Sequence, residues 1–259
     1  MLNINAILEI VREAGNLALS YQKNNQINSV KKADNTPVTE ADLAVNKIYL
    51  YKLSKIHPEI PIISEENPQD ENIKNLTQRF FLIDPIDGTK AFIQKSPDFV
   101  SQIALIENGK PIFAAIFNPA RDELYYSDNR NSYLIHNKQT QIISVKNNTP
   151  PVIYFSNRLK QKKAFKAINK LNYQSTNIPS SYKFCLLAKG EANLIPFLSP
   201  VHSWDIAPPD LIIRTAGGIC QNLQAQDLTY IDKEFNCENF IAASSKEHFQ
   251  NCLNAINAI

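Results

Sequence analysis

Two aspartates within residues 84–89 (Asp-Pro-Ile-Asp-Gly-Thr) belong to the densest group of reactive side chains in the sequence. The apolar residues before them lead into a turn that holds the carboxylates of Asp84 and Asp87, with Gly88 and the hydroxyl of Thr89 directly after. Oxygen ligands held rigidly at a strand end suit Mg²⁺, which keeps several waters that a substrate phosphate can replace. An aspartate-rich turn that only ends a strand has the same sequence, so this segment alone leaves both interpretations open.

Two further acidic segments favour the metal interpretation. Glu65 and Glu66 follow another apolar run, and Asp205 precedes Pro208 and Pro209. Because these prolines fit only the first turn of a helix, we expect Asp205 at a helix start. Each segment also has an ordinary explanation, since the glutamates could be solvated loop acids and Asp205 could interact only with its own helix dipole.

The composition excludes several other kinds of site. The 259 residues include six glycines, whereas average usage would give roughly 18. The sequence contains no G-x-G-x-x-G, no G-x-x-x-x-G-K-[ST] and no G-x-S-x-G, so dinucleotide-binding loops, P-loops and nucleophile elbows lack support. With 27 Lys and Arg against 25 Asp and Glu, the net charge of +2 predicts no nucleic-acid partner. A chain of this charge that handles a polyanion needs cations from elsewhere.

The cysteines and the hydropathy indicate a cellular location. Cys185, Cys220, Cys237 and Cys252 are widely spaced without a C-x-x-C, which argues against a zinc site and against a disulfide scaffold. The first residues lack the features of a signal peptide, and no apolar run approaches the ~20 residues of a membrane span. We expect a cytoplasmic protein with no transmembrane segment, and peripheral attachment to the inner face of the membrane is the alternative.

Apolar periodicity predicts the elements that position the acids in the first half. Apolar residues at helical spacing over 4–21 predict an amphipathic helix. Thr39, with Asp42 three residues later, has the form of a capping box that opens a second helix. Asn108 and Gly109 between apolar runs predict a β-hairpin. Further strands are predicted over 60–64, 79–83, 123–127, 132–136 and 141–145.

The pattern changes after the prolines at 150 and 151 and becomes more alternating. The elements predicted there are a strand over 152–156, a basic helix over 159–171, a helix near 181–189, a strand over 193–198, a helix from about 205, strands near 218–222 and 240–244, and a C-terminal helix. We therefore expect two lobes. Residues 1–148 would form an α+β lobe with most metal ligands, and residues 149–259 an α/β lobe with Asp205 and substrate contacts.

Four ordered segments resemble the signature of the inositol monophosphatase superfamily of Mg²⁺-dependent, lithium-sensitive phosphatases. They are Val-Thr-x-x-Asp at 38–42, Ser-Glu-Glu at 64–66, Asp-Pro-Ile-Asp-Gly-Thr at 84–89, and Trp-Asp-Ile-Ala-Pro at 204–208 followed by Ala-Gly-Gly at 216–218. The resemblance implies the α/β (α+β) layered sandwich of that superfamily, an αβαβα fold similar to inositol monophosphatase and fructose bisphosphatase. It also implies hydrolysis of a phosphoric monoester.

The resemblance further implies that the acids bind two Mg²⁺ ions at the mouth between the lobes. Glu65, Asp84 and the carbonyl of Ile86 would hold the first ion. Asp84, Asp87 and Asp205 would hold the second, so that Asp84 bridges the two. A pair of metal ions can clamp an in-line displacement at phosphorus, one activating the attacking water and the other stabilising the leaving oxygen.

Roles in catalysis and phosphate binding are implied in the same way. Thr89 would orient the attacking water, Asp42 would polarise the Thr89 hydroxyl as a general base does, and Glu65 would complete the catalytic set. The N–H groups of Gly88 and Thr89 would face the phosphate where a helix begins. Glu66 is a candidate ligand for a third, weaker Mg²⁺ site. The implied substrate contacts are Glu65, Ile86, Asp87, Gly88, Thr89, Lys183 and Asp205.

Residues 180–185, Ser-Ser-Tyr-Lys-Phe-Cys, resemble a block of the CysQ branch, the 3'(2'),5'-bisphosphate nucleotidases. This branch implies removal of the 3'-phosphate of adenosine 3',5'-bisphosphate, which leaves AMP. Lys183 would contact the phosphate that does not react, because lysine binds phosphate as a point charge. A solvated lysine on a helix is the alternative. The chain departs from the branch at Pro179, Pro209 and Asp210, and the last two bear on how the base or ribose is held.

Three other functions compete with this one. The same metal chemistry could act on inositol monophosphate or a sugar (bis)phosphate. A haloacid-dehalogenase-type phosphatase needs D-x-D, whereas two residues separate Asp84 and Asp87. A non-enzymatic ligand-binding role would fit a chain that lacks a metal ligand, but every expected carboxylate is present. The protein would be a monomer or a homodimer.

Overall fold

A computed structural model describes residues 2–27, 29–31, 37–67, 79–156, 159, 162–230, 232 and 234–258 of the chain. The α-helices are Ile4–Lys23 (α1), Glu40–Ile56 (α2), Thr89–Ile93 (α3), Lys163–Ile168 (α4), Tyr182–Ala188 (α5), Ser203–Thr215 (α6) and Lys246–Asn257 (α7). The strands are Ser29–Lys31 (β1), Pro37–Thr39 (β2), Ile62–Ser64 (β3), Arg79–Asp87 (β4), Val100–Glu107 (β5), Lys110–Asn118 (β6), Glu123–Ser127 (β7), Ser132–His136 (β8), Gln139–Ile143 (β9), Val152–Phe155 (β10), Gln174–Asn177 (β11), Leu194–Phe197 (β12), Val201–His202 (β13), Ile219–Asn222 (β14), Asn236–Cys237 (β15) and Phe240–Ala243 (β16).

The two N-terminal helices form where the sequence predicts them. Helix α1 buries one apolar face, which includes Ile7, Val11 and Ala14. Helix α2 begins at the predicted capping box, in which the backbone N–H of Thr39 donates to Asp42 Oδ2 at 2.7 Å. Both helices pack on the same side of the first sheet.

In the described part of the chain, seven strands form the first sheet in the order β3-β4-β5-β6-β7-β8-β9. The β3–β4 pair is parallel, and the remaining neighbours pair antiparallel in chain order. The predicted hairpin is confirmed, because β5 and β6 are joined by Asn108 and Gly109. Both residues have positive φ, as a type I′ turn requires.

The second sheet has the order β11-β10-β12-β16-β14. Strand β10 is parallel to both of its neighbours, whereas β16 is antiparallel to β12 and β14. Helices α4 and α7 cover its outer face, where Phe249 and Leu253 of α7 are buried against Ile153 of β10 and Ile241 of β16. The C-terminal helix therefore packs on the sheet as predicted.

Helices α5 and α6 fill the layer between the two sheets. Their buried residues share one core cluster with strands of both sheets. The order of layers is thus α1 and α2, the first sheet, α5 and α6, the second sheet, and α4 with α7. This confirms the predicted αβαβα sandwich. The strands of the first sheet end at Ile143 and those of the second begin at Val152, while the division into two lobes stays a prediction.

Several predicted elements differ in extent; strand β3, for instance, begins at Ile62 and not at residue 60. Strand β4 continues four residues beyond Ile83 because Asp84 and Asp87 still pair with β5 across an irregularity in the ladder. Strand β9 starts at Gln139, two residues before the predicted strand, because a two-residue turn joins it directly to β8. The basic helix is shorter than predicted, with α4 followed by the 3₁₀ turn Asn169–Leu171, and residues 160 and 161 of that prediction lie outside the described residues.

Within the described residues, no helix combines the length and the apolar character that crossing a membrane requires.

A buried carboxylate attaches α5 to the first sheet. Glu123 of β7 accepts hydrogen bonds from the hydroxyls of Tyr125 and Tyr182, both at 2.7 Å, and from Lys189 Nζ at 3.3 Å. Burial opposes ionisation of Glu123, but the two hydroxyls and Lys189 outweigh it and lower the pKa of the carboxyl. The charged network therefore fixes the start of α5, which adjoins the acidic segment 84–88.

We expect Tyr182→Phe to lower the free energy of unfolding by about 1.5–3 kcal/mol, because it removes a buried hydrogen bond to a charged acceptor. Urea unfolding followed by circular dichroism measures the change. Tyr133→Phe is the matched control, since the Tyr133 hydroxyl donates to Asp128 over 3.3 Å at a partly exposed site. An equal effect of the two substitutions would contradict the assignment.

Candidate active site

Three carboxylates from two distant parts of the chain meet at the end of the first sheet. One oxygen from each of Asp84, Asp87 and Asp205 lies within 4.8 Å of the other two. The Asp84 side chain is buried, with 1% of the residue exposed, whereas Asp87 and Asp205 are partly exposed. The cluster is thus buried at Asp84, whereas solvent or a ligand can reach it at Asp87 and Asp205.

The parallel pairing of β3 and β4 places Glu65 beside this cluster. Ser64 pairs with Ile83, so the next residue of each strand, Glu65 and Asp84, emerges at the same edge. The backbone N–H of Glu65 donates to the Ile83 carbonyl at 3.0 Å. The Glu65 carboxylate lies outside the group of three but interacts directly with Asp84.

The turn after Asp87 is held tightly against the loop before α5. Gly88 has a φ of +89° and is the N-cap of α3. A Cβ at this glycine would lie 2.8 Å from Ser180 Cβ, so a side chain would clash. The backbone N–H of Ser181 donates a short hydrogen bond to Asp87 Oδ2. These contacts fix where the Asp87 carboxylate points.

Asp205 reaches the cluster from the first turn of α6, and one of its oxygens already has a partner. Its Oδ2 accepts the backbone N–H of His202, the N-cap residue, at 3.0 Å. Asp42 makes the same kind of bond at the start of α2. The prediction that Asp205 lies at a helix start is confirmed.

The prediction that the prolines occupy the first helical turn is wrong. Helix α6 begins at Ser203, so Pro208 and Pro209 lie inside it. The helix tolerates them because other groups bond the carbonyls they leave free, those of Trp204 and Asp205. Gln102 Nε2 donates to these two carbonyls at 3.1 and 3.4 Å.

Ser181 gives the Asp205 carbonyl a second partner, because its hydroxyl donates to that oxygen at 3.1 Å. Sequence reasoning did not identify Gln102 or Ser181 as parts of the site. A glutamine inside the mostly apolar strand β5 is a weak signal, but the carbonyls that it bonds are not evident without the packing of α6 on the sheet.

The electrostatics of the group oppose full ionisation. Burial, followed by the charges of Asp87 and Glu65, raises the pKa of Asp205 to about 8. Burial also raises the pKa of Asp84, and repulsion from nearby carboxylates adds to this, with Glu65 contributing the largest repulsion. Burial also raises the pKa of Asp87, although Lys183 and the Ser181 N–H act in the opposite direction.

The predicted proton-handling pair is not joined by a hydrogen bond in the described structure. The Thr89 hydroxyl donates to the Ile86 carbonyl at 3.2 Å. Asp42 Oδ2 instead accepts hydrogen bonds from the backbone N–H and the hydroxyl of Thr39. Burial raises the pKa of Asp42 to about 7, and the charge of Glu66 adds to this. A group that titrates near neutrality can exchange a proton, which suits the predicted role of Asp42. Because no hydrogen bond joins Asp42 to Thr89, the roles of both residues stay predictions.

Lys183 is not a solvated helix residue, because only 2% of it is exposed. Its Nζ donates to the Ser180 carbonyl at 2.8 Å, and its positive charge acts on Asp87. Asp210 is equally buried and pairs with Arg214 at 2.8 Å and with the Tyr230 hydroxyl at 3.1 Å. These bonds account for the Asp210 carboxylate without a substrate.

The residues of the cluster fit a hard divalent cation. Asp84 Oδ1 is buried and has no hydrogen-bond partner within the described structure. Asp87, Asp205 and Glu65 beside it all offer carboxylate oxygens, and oxygen is what Mg²⁺ prefers. A cation would supply the missing partner and relieve the repulsion between the carboxylates.

Comparison with known proteins identifies the family of the chain. The sequence model of the inositol monophosphatase family matches residues 3–258. The chain belongs to the inositol monophosphatase family. It is therefore a phosphatase, and dependence on metal ions is general to this family.

Curated relatives in the family are named 3'(2'),5'-bisphosphate nucleotidase CysQ. The protein of this name from Escherichia coli K12 is 32% identical over 233 residues, which cover 89% of this chain and 95% of that protein. The one from Buchnera aphidicola is 34% identical over 230 residues, covering 88% of this chain and 87% of the relative.

Solved structures in the family share the fold. CysQ from Bacteroides thetaiotaomicron superposes with a TM-score of 0.81 at 25% identity, over 95% of this chain and 99% of that one. The IMPase from Thermotoga maritima gives a TM-score of 0.83 at 22% identity, over 100% of this chain and 98% of the other. The second likeness concerns the fold alone.

We expect the metal-free protein to lose stability as the pH rises from 5 to 8. The pKa of Asp205 in the folded protein, about 8, lies above its ordinary value of 3.8. The folded state therefore binds more protons than the unfolded chain in this range, and the free energy of unfolding falls with pH. Thermal unfolding in a chelator measures the slope.

Asp205→Asn should flatten this pH dependence because it removes one titrating group, and a divalent cation should flatten it in the unaltered protein by stabilising the ionised carboxylates. A melting temperature of the chelated protein that rises over the same range would contradict the assignment.

We expect Gly88→Ala to cost about 1–3 kcal/mol of stability because its φ is strained for a side chain, and to reduce phosphatase turnover because the added Cβ displaces Ser180. Gly190→Ala is the matched control. Gly190 has a φ of +90°, and the three atoms nearest to an added Cβ all belong to the flexible side chain of Lys146. The control should lose stability but keep its turnover number, and equal losses of turnover in both variants would refute the role of the turn.

Proposed function

We propose that this chain is a Mg²⁺-dependent 3'(2'),5'-bisphosphate nucleotidase that converts adenosine 3',5'-bisphosphate and water into AMP and phosphate. The observation that carries the proposal is the meeting of Asp84, Asp87 and Asp205, with Glu65 beside them. The nucleotide specificity is supported by the relatives named CysQ and by the Ser-Ser-Tyr-Lys-Phe-Cys block at 180–185.

Five residues would hold the metal ions. They are Glu65, Asp84, Asp87, Asp205 and Ile86, the last through its carbonyl. When bound, divalent cations offset the charges of carboxylates and phosphate and acidify water at the site. Of these ligands, Asp84 is fixed by the ladder of β4 and Asp205 by its bond to the N-cap of α6.

The remaining residues would orient the phosphate ester and transfer the proton of the attacking water. The N–H groups of Gly88 and Thr89 begin helix α3 beside the carboxylates and would donate to phosphate oxygens. Asp42, with a pKa of about 7, would accept the proton released when water attacks phosphorus, with the Thr89 hydroxyl between them. In the reaction, the oxygen of water forms the new P–O bond, the P–O bond to the 3'-oxygen breaks, and that oxygen takes a proton from solvent water to become the 3'-hydroxyl of AMP.

Lys183 and the loop before α5 support the choice of a doubly phosphorylated substrate. Lys183 is a buried cation next to Asp87 rather than a surface charge. We infer that its positive charge lowers the cost of bringing a second phosphate near the acidic group, at longer range than the direct contact that the sequence predicts. Mg²⁺ as the physiological ion, a cytoplasmic location and a monomer or homodimer complete the proposal.

The test is a substrate panel with Mg²⁺, in which released phosphate is measured for adenosine 3',5'-bisphosphate, inositol monophosphate and a sugar bisphosphate. We expect the highest kcat/KM for the adenosine nucleotide. Faster turnover of inositol monophosphate would refute the nucleotide assignment and leave the metal chemistry intact.

Asp84→Asn separates chemistry from folding in the same assay. We expect turnover to fall on the order of a thousandfold, because several kcal/mol of charge stabilisation depend on this carboxylate. Asp122→Asn is the matched control, since Asp122 pairs with Arg12 at the surface, and it should retain full activity. Full activity of Asp84→Asn, or of the unaltered enzyme in chelator, would refute the metal mechanism.

A further inference from the structure

The helix that supplies Asp205 has two consecutive prolines at positions where a helix normally uses its N–H groups. Pro208 and Pro209 cannot donate to the carbonyls of Trp204 and Asp205, four residues earlier. One of these two carbonyls belongs to a metal ligand of the proposed site. The carbonyl of Asp205 therefore lacks the helical hydrogen bond from the N–H of residue 209.

Gln102 replaces the lost donors from the first sheet. Its Nε2 lies 3.1 Å from the Trp204 carbonyl and 3.4 Å from that of Asp205. Gln102 is fully buried and pairs across the β4–β5 ladder with Asp84. One side chain thus connects the strand position opposite Asp84 to the backbone of Asp205.

Ser181 completes the connection from the loop before α5. Its hydroxyl donates to the Asp205 carbonyl at 3.1 Å, while its backbone N–H donates to the Asp87 carboxylate. Only 3% of Ser181 is exposed, so water does not compete freely for these bonds. Asp87 and Asp205, which come from different halves of the chain, are therefore held by one residue.

We propose that Gln102 and Ser181 are positioning residues of the metal site, which replace the two helical donors removed by Pro208 and Pro209 and so fix Asp205 against Asp84 and Asp87. The inference rests on the proposed function because it assigns metal binding to these carboxylates. Repulsion between the carboxylates favours their separation. The side chains of Gln102 and Ser181 oppose this separation by donating hydrogen bonds to the backbone carbonyl of Asp205. Losing either one should weaken metal binding even when the fold is kept.

The experiment measures Mn²⁺ binding to the full chain by calorimetry and by the electron paramagnetic resonance of free Mn²⁺, with a melting curve and kcat and KM for each variant. Gln102→Met keeps the length of the side chain and removes the donor. Ser181→Ala removes the hydroxyl and keeps the N–H bond to Asp87. We expect each to weaken Mn²⁺ binding by about three- to tenfold, the effect of one or two lost hydrogen bonds, and to lower kcat more than it raises KM.

Ser132→Ala is the matched control for Ser181→Ala. The Ser132 hydroxyl donates to the Ile212 carbonyl at 2.6 Å, so it is a buried serine bonded to the other end of the same helix. We expect this variant to lose stability while its Mn²⁺ dissociation constant stays within about twofold of the unaltered protein.

Replacement of the prolines provides the decisive comparison. Pro208→Ala/Pro209→Ala restores N–H donors to the two carbonyls, so adding Gln102→Met to this background should cost little Mn²⁺ affinity. A general packing role for Gln102 would not be rescued in this way. If Gln102→Met misfolds, the same cycle with Ser181→Ala decides.

Undiminished Mn²⁺ affinity in Gln102→Met and Ser181→Ala would overturn the inference, and so would an equal loss in Ser132→Ala or a failure of the alanine pair to rescue. Those outcomes leave the proposed function standing. Absence of Mn²⁺ binding by the unaltered protein would instead overturn the proposed metal site, and this inference with it.

Discussion

Repulsion between carboxylates that are crowded and partly removed from water is the interaction on which the site depends. Three of them lie within 4.8 Å of one another, and burial together with the charge of neighbouring carboxylates, Glu65 among them, raises the pKa of each. A flexible chain would relieve this strain by separating them. The layered fold prevents that, because the acids lie at the end of a sheet strand and at the start of a helix packed between two sheets. The same unfavourable electrostatics that cost stability would favour binding of a cation, as the proposed function requires.

Local sequence predicted the parts of the site that local structure controls. The capping box of Thr39 and Asp42 and the strand that ends in Asp84 and Asp87 follow from residue types within a few positions of one another. The low glycine content and near-neutral charge already excluded phosphate-binding glycine loops and a basic surface. The resemblance then supplied the family, and comparison confirmed both the family and its fold.

The features that sequence reasoning missed all depend on contacts between distant segments. Lys183 is buried because α5 lies between the sheets, which its own segment does not indicate. The prolines of α6 are tolerated inside the helix because Gln102, about a hundred positions earlier, bonds the carbonyls they leave free. The packing of α6 on the first sheet sets that contact, and the residue types of β5 do not show which helix will lie against it.

The placement of α6 also has a consequence for synthesis of the protein on the ribosome. While the nascent chain consists only of its first half, it exposes Glu65, Asp84 and Asp87 but has no Asp205 to complete the group. The buried face of α6 belongs to a core built by both sheets, so this core is complete only when the second sheet is present. With Asp205 as a metal ligand, as proposed above, a chain that ends before α6 would bind metal weakly and would have no phosphatase activity.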